Sequence, residues 1–292
     1  MDRRRPILNR SEAAAESALR DAADKNGARV FAKVRIADAL SIDRTGLPDP
    51  VWRYALQGHF DFLLADRTSS VPYFAVEFDG PSHRRNPDTL RRDVIKNLIC
   101  ERLSLPLLRV DASYLRSVGR FTLIGWLVEL WFIYEQFCAM QDRGEIPYDE
   151  PFMYFSLFEA TPDGRFRSSY GLSDDARAFV WQAWGQGTCT QPVPEEVSTW
   201  DDEDGYSVAH AILPLPAGGT LVGSARCRSF RFPPVGPREL AGELAMVDLG
   251  DKLRRYKQGA HRPMSESELA KLRERTAGWI REGMLIPDAE KR

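Results

Sequence analysis

Carboxylates and a histidine fall at spacings that can do chemistry. The run His59-Phe60-Asp61-Phe62-Leu63-Leu64 is followed by a polar turn, Asp66 to Ser70. Then comes Tyr73-Phe74-Ala75-Val76-Glu77-Phe78-Asp79-Gly80-Pro81-Ser82-His83. Side chains alternate across a strand with period two. Glu77 and Asp79 therefore share one face, with Phe74, Val76 and Phe78 on the other. Asp61 opens the partner strand. A hairpin would gather these carboxylates at one end of a sheet, with His83 just past the strand. Grouped carboxylates are costly without a cation between them. Hard oxygen donors of this kind suit Mg²⁺ or Mn²⁺. A solvated strand face for Glu77 and Asp79, and a plain turn residue for His83, are the readings without chemistry.

The elements that must position these groups follow from pattern. Residues 10–26 form an Ala-rich helix that Ser11 can cap. Glu16, Leu19 and Ala23 lie on one stripe, with Glu12 a turn earlier, and sequence leaves Glu16 and Glu12 undecided. Ala28 to Ala39 alternates as a half-buried strand, and Ser41 to Tyr54, with Gly46, Pro48 and Pro50, reads as loop. After the hairpin a helix runs from Asp88 or Thr89 to Leu103, with Leu90, Val94, Leu98 and Ile99 on its buried side. Leu105 to Val110 is a buried strand. The order helix, strand, strand, strand, helix, strand is an α/β unit of about a hundred residues, a normal domain size. Phe121 to Met140 has the length of a membrane span. Glu129 near its centre would be expensive in lipid, so a buried helix and no membrane contact are expected.

Past Asp142 the signals are weaker. Phe152 to Phe158 reads as a strand, and Ser173 starts a helix leading to Trp181 and Trp184. Residues 186–205 read as an exposed loop. Tyr206–Leu213 and Thr220–Phe232 read as strands, Arg238–Gln258 as a helix, and Ser265-x-x-Glu268 as a capping box for another. Trp181, Trp184 and Trp200 are expected in the core, as is His210. The chain has 292 residues, 43% hydrophobic and 28% charged, with net charge −2. That composition is globular and exerts no overall pull on nucleic acid, so any such binding needs a local basic patch. Arg84, Arg85, Arg91 and Arg92 beside the carboxylates are one candidate. Lys252, Arg254 and Arg255 are a second, unless they only complement a helix C-terminus. Four scattered cysteines without a CxxC pair suggest neither a zinc site nor a disulfide framework. The basic start lacks the apolar core of a signal peptide, so a cytoplasmic protein is expected.

The motifs combine as Val30-Phe31-x-Lys33-Val34-Arg35-Ile36-Ala37-Asp38, Phe60-Asp61-Phe62, Val76-Glu77-Phe78-Asp79-Gly80-x-x-His83, Arg92-Asp93-x-x-Lys96-Asn97 and Leu105-Pro106-Leu107-Leu108-Arg109-Val110. In that combination residues 11–111 resemble the PD-(D/E)XK nuclease superfamily, in the branch similar to very-short-patch-repair endonuclease-like bacterial domains. The resemblance implies a restriction-endonuclease-like mixed sheet flanked by helices over residues 1–118. An aromatic buried helix and connector, or helical hairpin region, is expected over 119–150. A smaller α+β domain is expected over 151–292. It further implies a Mg²⁺- or Mn²⁺-dependent endonuclease cutting DNA, ahead of RNA, in restriction, defence or repair. Asp61 and Glu77 would hold the metal with the Phe78 carbonyl. Asp79 would be a further ligand or would orient His83. Glu16 would act through water, and Lys96 or His83 would activate the attacking water. The chain departs from the usual acid-x-Lys signature, because Asp79 stands where the lysine would be. That departure keeps a second expectation alive: an inactive nucleic-acid-binding or protein-interaction module, as a homodimer or with a partner protein.

Overall fold

The computed structural model describes residues 6–43, 45–80, 87–160, 166–199 and 205–282. The chain divides into two compact units, Met1–Phe152 with Phe230–Pro234, and Met153–Ser229 with Val235–Arg292. Each is described by itself.

The first unit opens with α1 (Arg10–Lys25). Its cap is Asn9, not Ser11. The Asn9 side chain accepts from the Ser11 and Glu12 N–H groups, and Glu12 accepts from the Asn9 N–H at 2.8 Å. This reciprocal box satisfies donors that a helix start leaves open. β1 (Ala28–Arg35), β2 (His59–Asp66), β3 (Pro72–Phe78) and β4 (Leu107–Val110) form a four-stranded sheet in that order. Its first two pairings are antiparallel and β3–β4 is parallel. The parallel pair requires a crossover, supplied by α4 (Pro87–Arg102). The sheet is therefore mixed and flanked by helices.

Several local expectations change. Ile36–Ala39 is a short helix, α2, and does not continue the strand; the Ile36 N–H donates to the Gly58 carbonyl. The expected loop contains α3 (Asp49–Gln57), where Pro50 sits in the first turn. Proline is tolerated there because that N–H has no partner within the helix. α4 is rotated from the expected phase. Val94 is 66% exposed and Leu90 is exposed, while Asp93, Ile99 and Cys100 are buried. A charged strand residue, Arg109, faces α4 and draws its polar side inward.

Residues 119–150 hold no helical hairpin. A short ribbon, β5 (Ser117–Val118) and β6 (Phe121–Thr122), leads into one helix, α5 (Leu123–Asp142). α5 is the one described helix long and apolar enough to cross a membrane. Its residues Leu123 to Val128 and Leu130 to Phe132 are buried. Glu129 lies 3.8 Å from Lys25 of α1. Phe74 of β3, fully buried, meets the rings of Trp131 and Phe232 at 5.1 and 5.2 Å.

The second unit is α+β. A hairpin of β7 (Phe158–Ala160) and β8 (Phe166–Ser168) precedes α6 (Asp174–Gly185). An antiparallel sheet follows in the order β11 (Thr220–Arg228), β10 (Tyr206–Pro214), β9 (Glu195–Ser198), β12 (Ile280–Glu282). α7 (Pro237–Lys257) packs on β10 and β11. It comes so close that a Cβ on Gly223 would overlap the Ala245 carbonyl and the Leu249 backbone. α8 (Glu266–Arg275) begins at the expected box of Ser265 and Glu268. The expected strand at 152–158 is instead a 3₁₀ turn, Tyr154–Ser156, before β7. The expected loop at 186–205 carries β9, an inner strand whose Val197 is fully buried.

Phe74→Ala would remove a ring enclosed on all sides, and a loss of about 3–5 kcal/mol is expected for such a truncation. Urea denaturation of the full chain measures it. A loss under about 1 kcal/mol would mean that the cluster of Phe74, Trp131 and Phe232 does not hold the sheet to α5.

Candidate functional site

Asp61 is held from two sides. Its Oδ2 accepts the Phe78 backbone N–H at 2.9 Å, and its Oδ1 accepts Lys33 Nζ at 2.6 Å. Lys33 Nζ also donates to Glu12 Oε1 at 3.0 Å. One chain of contacts thus joins α1, β1, β2 and β3. Lys33 has φ 53°, the left-handed region, inside a strand. The ladder pairs Ala32 with Phe62 and Val34 with Phe60, and Lys33 lies between them, opposite Asp61. A non-glycine residue in that conformation costs on the order of 1–3 kcal/mol and persists where its surroundings hold it. Burial alone would lower the Lys33 pKa, but the hydrogen bonds and charges of Asp61 and Glu12 raise it on balance.

Glu77 is 3% exposed. Its Oε2 accepts Lys96 Nζ from α4 at 2.5 Å, while its Oε1 is buried with no hydrogen-bond partner. Burial pushes its carboxyl up to about 7; Lys96 opposes that, and nearby Asp61 adds to it. Asp79 turns to Arg109, whose guanidinium lies 3.4 Å from Asp79 Oδ1 and 3.1 Å from Asp93 Oδ1. Arg109, 1% exposed, also donates to Asn97 Oδ1 at 3.0 Å. Asp93 is accordingly a buried partner of Arg109 and not a surface mate of Lys96.

The expected residues divide. Asp61, Glu77 and Lys96 come together on β2, β3 and α4, with Asp79 beside them on Arg109. Glu16 does not join them; it pairs with Arg20 on its own helix at 2.7 Å. Glu12 takes that place for a geometric reason. Lys33 is six residues past Gly27, about 20 Å along a strand. A helix packed alongside covers that length in about 13 residues, which reaches back from Lys25 to Glu12. The antiparallel pairing of β1 with β2 places Lys33 across from Asp61. His83, Arg84 and Arg85 lie outside the described residues. Arg91 and Arg92 are exposed on α4.

In the second unit, Lys252 donates to the Val222 carbonyl at 2.8 Å and pairs with Asp248 at 2.7 Å. Arg254 pairs with Asp251 at 2.7 Å and lies over the Phe179 ring, and Arg255 is exposed. Trp181 is 58% exposed and Trp184 is also exposed, so neither is a core residue. α6 buries the small Ala176, Val180 and Ala183 instead. Trp200 lies outside the described residues. His210 is half-buried on the sheet rather than in the core, 2.8 Å from Ser224 Oγ and stacked on Trp279. Burial pushes its pKa down to about 4.

The donors suit a hard divalent cation in type. Glu77 Oε1 offers an open, buried oxygen, Asp61 stands close enough to repel it, and the Phe78 carbonyl lies on the same strand. Among the described residues, no group of three or more His, Cys, Asp or Glu side chains converges as a ready cage. In the metal-free protein, folded Glu77 binds its proton more tightly than an unfolded glutamate does. Its contribution to stability is therefore full below about pH 4.5 and is lost as pH rises through about 7. Glu77→Gln should flatten the melting temperature across that window. Parallel profiles for the two proteins would show that another group titrates there.

Residues 4–121 match the model of a family described as a protein of unknown function, DUF2726. No curated protein and no solved structure matches the chain. The matched span contains Glu12, Lys33, Asp61, Glu77, Lys96 and Arg109 and stops just before α5.

Proposed function

We propose that the first unit is a metal-dependent phosphodiester hydrolase, a DNA endonuclease on a restriction-endonuclease-like fold. The observation that carries this reading is Glu77: a buried carboxylate with one oxygen on the Lys96 ammonium and the other unpartnered, beside Asp61. A buried polar atom without a partner is costly, and Glu77 and Asp61 would hold a divalent cation that offsets that cost and their mutual repulsion.

Mg²⁺ or Mn²⁺ held by Asp61, Glu77 and the Phe78 carbonyl would neutralise the phosphodiester and lower the pKa of a bound water. The chain's own groups do the rest. Lys96, fixed by Glu77, supplies a positive charge where the pentavalent phosphorus gathers negative charge. Arg109 keeps Asp79 and α4 against the sheet, which sets the reach of Lys96. Arg91 and Arg92, exposed on the same helix, suit contacts to the phosphate backbone, which position but do not specify. A place in restriction, defence or repair in the cytoplasm accompanies this reading. A second reading, an inactive nucleic-acid-binding or interaction module working as a homodimer or with a partner, draws on a different observation. Lys33 and Lys96 already neutralise one carboxylate each.

Purified full chain with Mn²⁺ or Mg²⁺ should nick or cut supercoiled plasmid. Asp61→Ala, Glu77→Ala and Lys96→Ala should each lower the rate by about 10²-fold or more with the fold intact by circular dichroism. An Asp61→Ala/Glu77→Ala double variant that cuts like wild type would put the site elsewhere. A wild type that never cuts but binds DNA with salt-dependent affinity would favour the second reading.

A further inference from the structure

The nuclease reading gives Lys33 no task, yet the chain distorts a strand to place it. Its backbone is left-handed at φ 53°, and both neighbouring residues remain in the ladder. The result is an ammonium 2.6 Å from Asp61 Oδ1 and 3.0 Å from Glu12 Oε1. The other Asp61 oxygen is taken by the Phe78 N–H at 2.9 Å. Asp61 is therefore fully satisfied without any ion, while Glu77, 3% exposed, keeps an unpartnered oxygen. A divalent cation held by Glu77 and Asp61 would share Asp61 with a positive charge already there. Two cations on one carboxylate oxygen repel each other at short range.

We propose that Lys33 is a resident counter-ion that competes with the divalent cation for Asp61 and withdraws onto Glu12 when the ion binds. The inference rests on the metal-dependent reading of the same site. Glu12 is what makes the withdrawal feasible, because it keeps the ammonium paired after Asp61 is released. Its own position is fixed by the Asn9 N–H on its second oxygen. Lys33 thereby sets how much cation the site needs, and it keeps the carboxylates apart from full repulsion when none is present.

Titration calorimetry of the full chain with Mn²⁺ tests this without reference to cleavage. Lys33→Met should bind Mn²⁺ about tenfold tighter than wild type. Its metal-free melting temperature should be lower, and the rise on adding Mn²⁺ larger. Glu12→Gln should shift affinity the opposite way, weaker by several-fold, because the ammonium then has only Asp61. Lys33→Arg, which keeps the charge, should stay near wild type. Asp61→Asn should lose binding and so locate the ion. Equal affinities in wild type, Lys33→Met and Glu12→Gln would overturn the competition while leaving the metal site standing. Weaker binding by Lys33→Met would likewise overturn it. Absence of Mn²⁺ binding in wild type and Lys33→Met alike would remove both the competition and the metal-dependent reading.

Discussion

The carboxylate of Asp61 is the contact on which the polar end of the first unit's sheet depends. Through one oxygen it receives an ammonium from β1, and through the other a backbone amide from β3. The pair is half-buried, and a charge withdrawn from water is costlier alone than paired. The amide bond does something a salt bridge cannot. It fixes the place where β2 hands its polar end to β3, so Glu77 and Asp79 emerge from the sheet at a defined height.

Around that contact the charges alternate: Glu12, Lys33, Asp61, then Glu77, Lys96, and then Asp79, Arg109, Asp93. Each flanking helix is attached to the sheet by its own member of the series, α1 through Glu12 and α4 through Lys96, Asp93 and Asn97. Apolar packing supplies the bulk of the attraction. Ile99, Cys100, Leu105 and Leu107 share one cluster with Phe60 and Ala75. Hydrophobic contact is indifferent to small rotations, however, and the buried ion pairs are not. They explain why α4 leaves Val94 in solvent and turns Asp93 inward.

Much of this was legible from residue order. The hairpin, its turn, the strand at Leu107 and the helix between them follow from alternation and spacing, as does the placing of Asp61 and Glu77 on neighbouring strands. What escaped has physical causes. Pro50 marks a helix start as well as a loop, and nothing local separates the two. Glu12 and Glu16 differ by one turn of the same stripe, and only the length of β1 decides between them. Lys33 looks like an outward-facing strand residue until its pairing with Asp61 is counted. β9 is short, and one of its two neighbours in the sheet, β12, comes from residues far along the chain. The exposed Trp181 and Trp184 run against size-based expectation because α6 packs through small side chains.

Glu12 also holds the start of its own helix. One oxygen closes the cap on Asn9 and the other carries Lys33. The first turn is ordinarily where a helix frays most easily, since its amides lack partners. Here fraying would cut loose a charge at the far end of the sheet, so the integrity of a helix end and the electrostatic state of the carboxylates are a single degree of freedom. The residues around Asn9 are thereby linked to Asp61 through two side chains, Glu12 and Lys33.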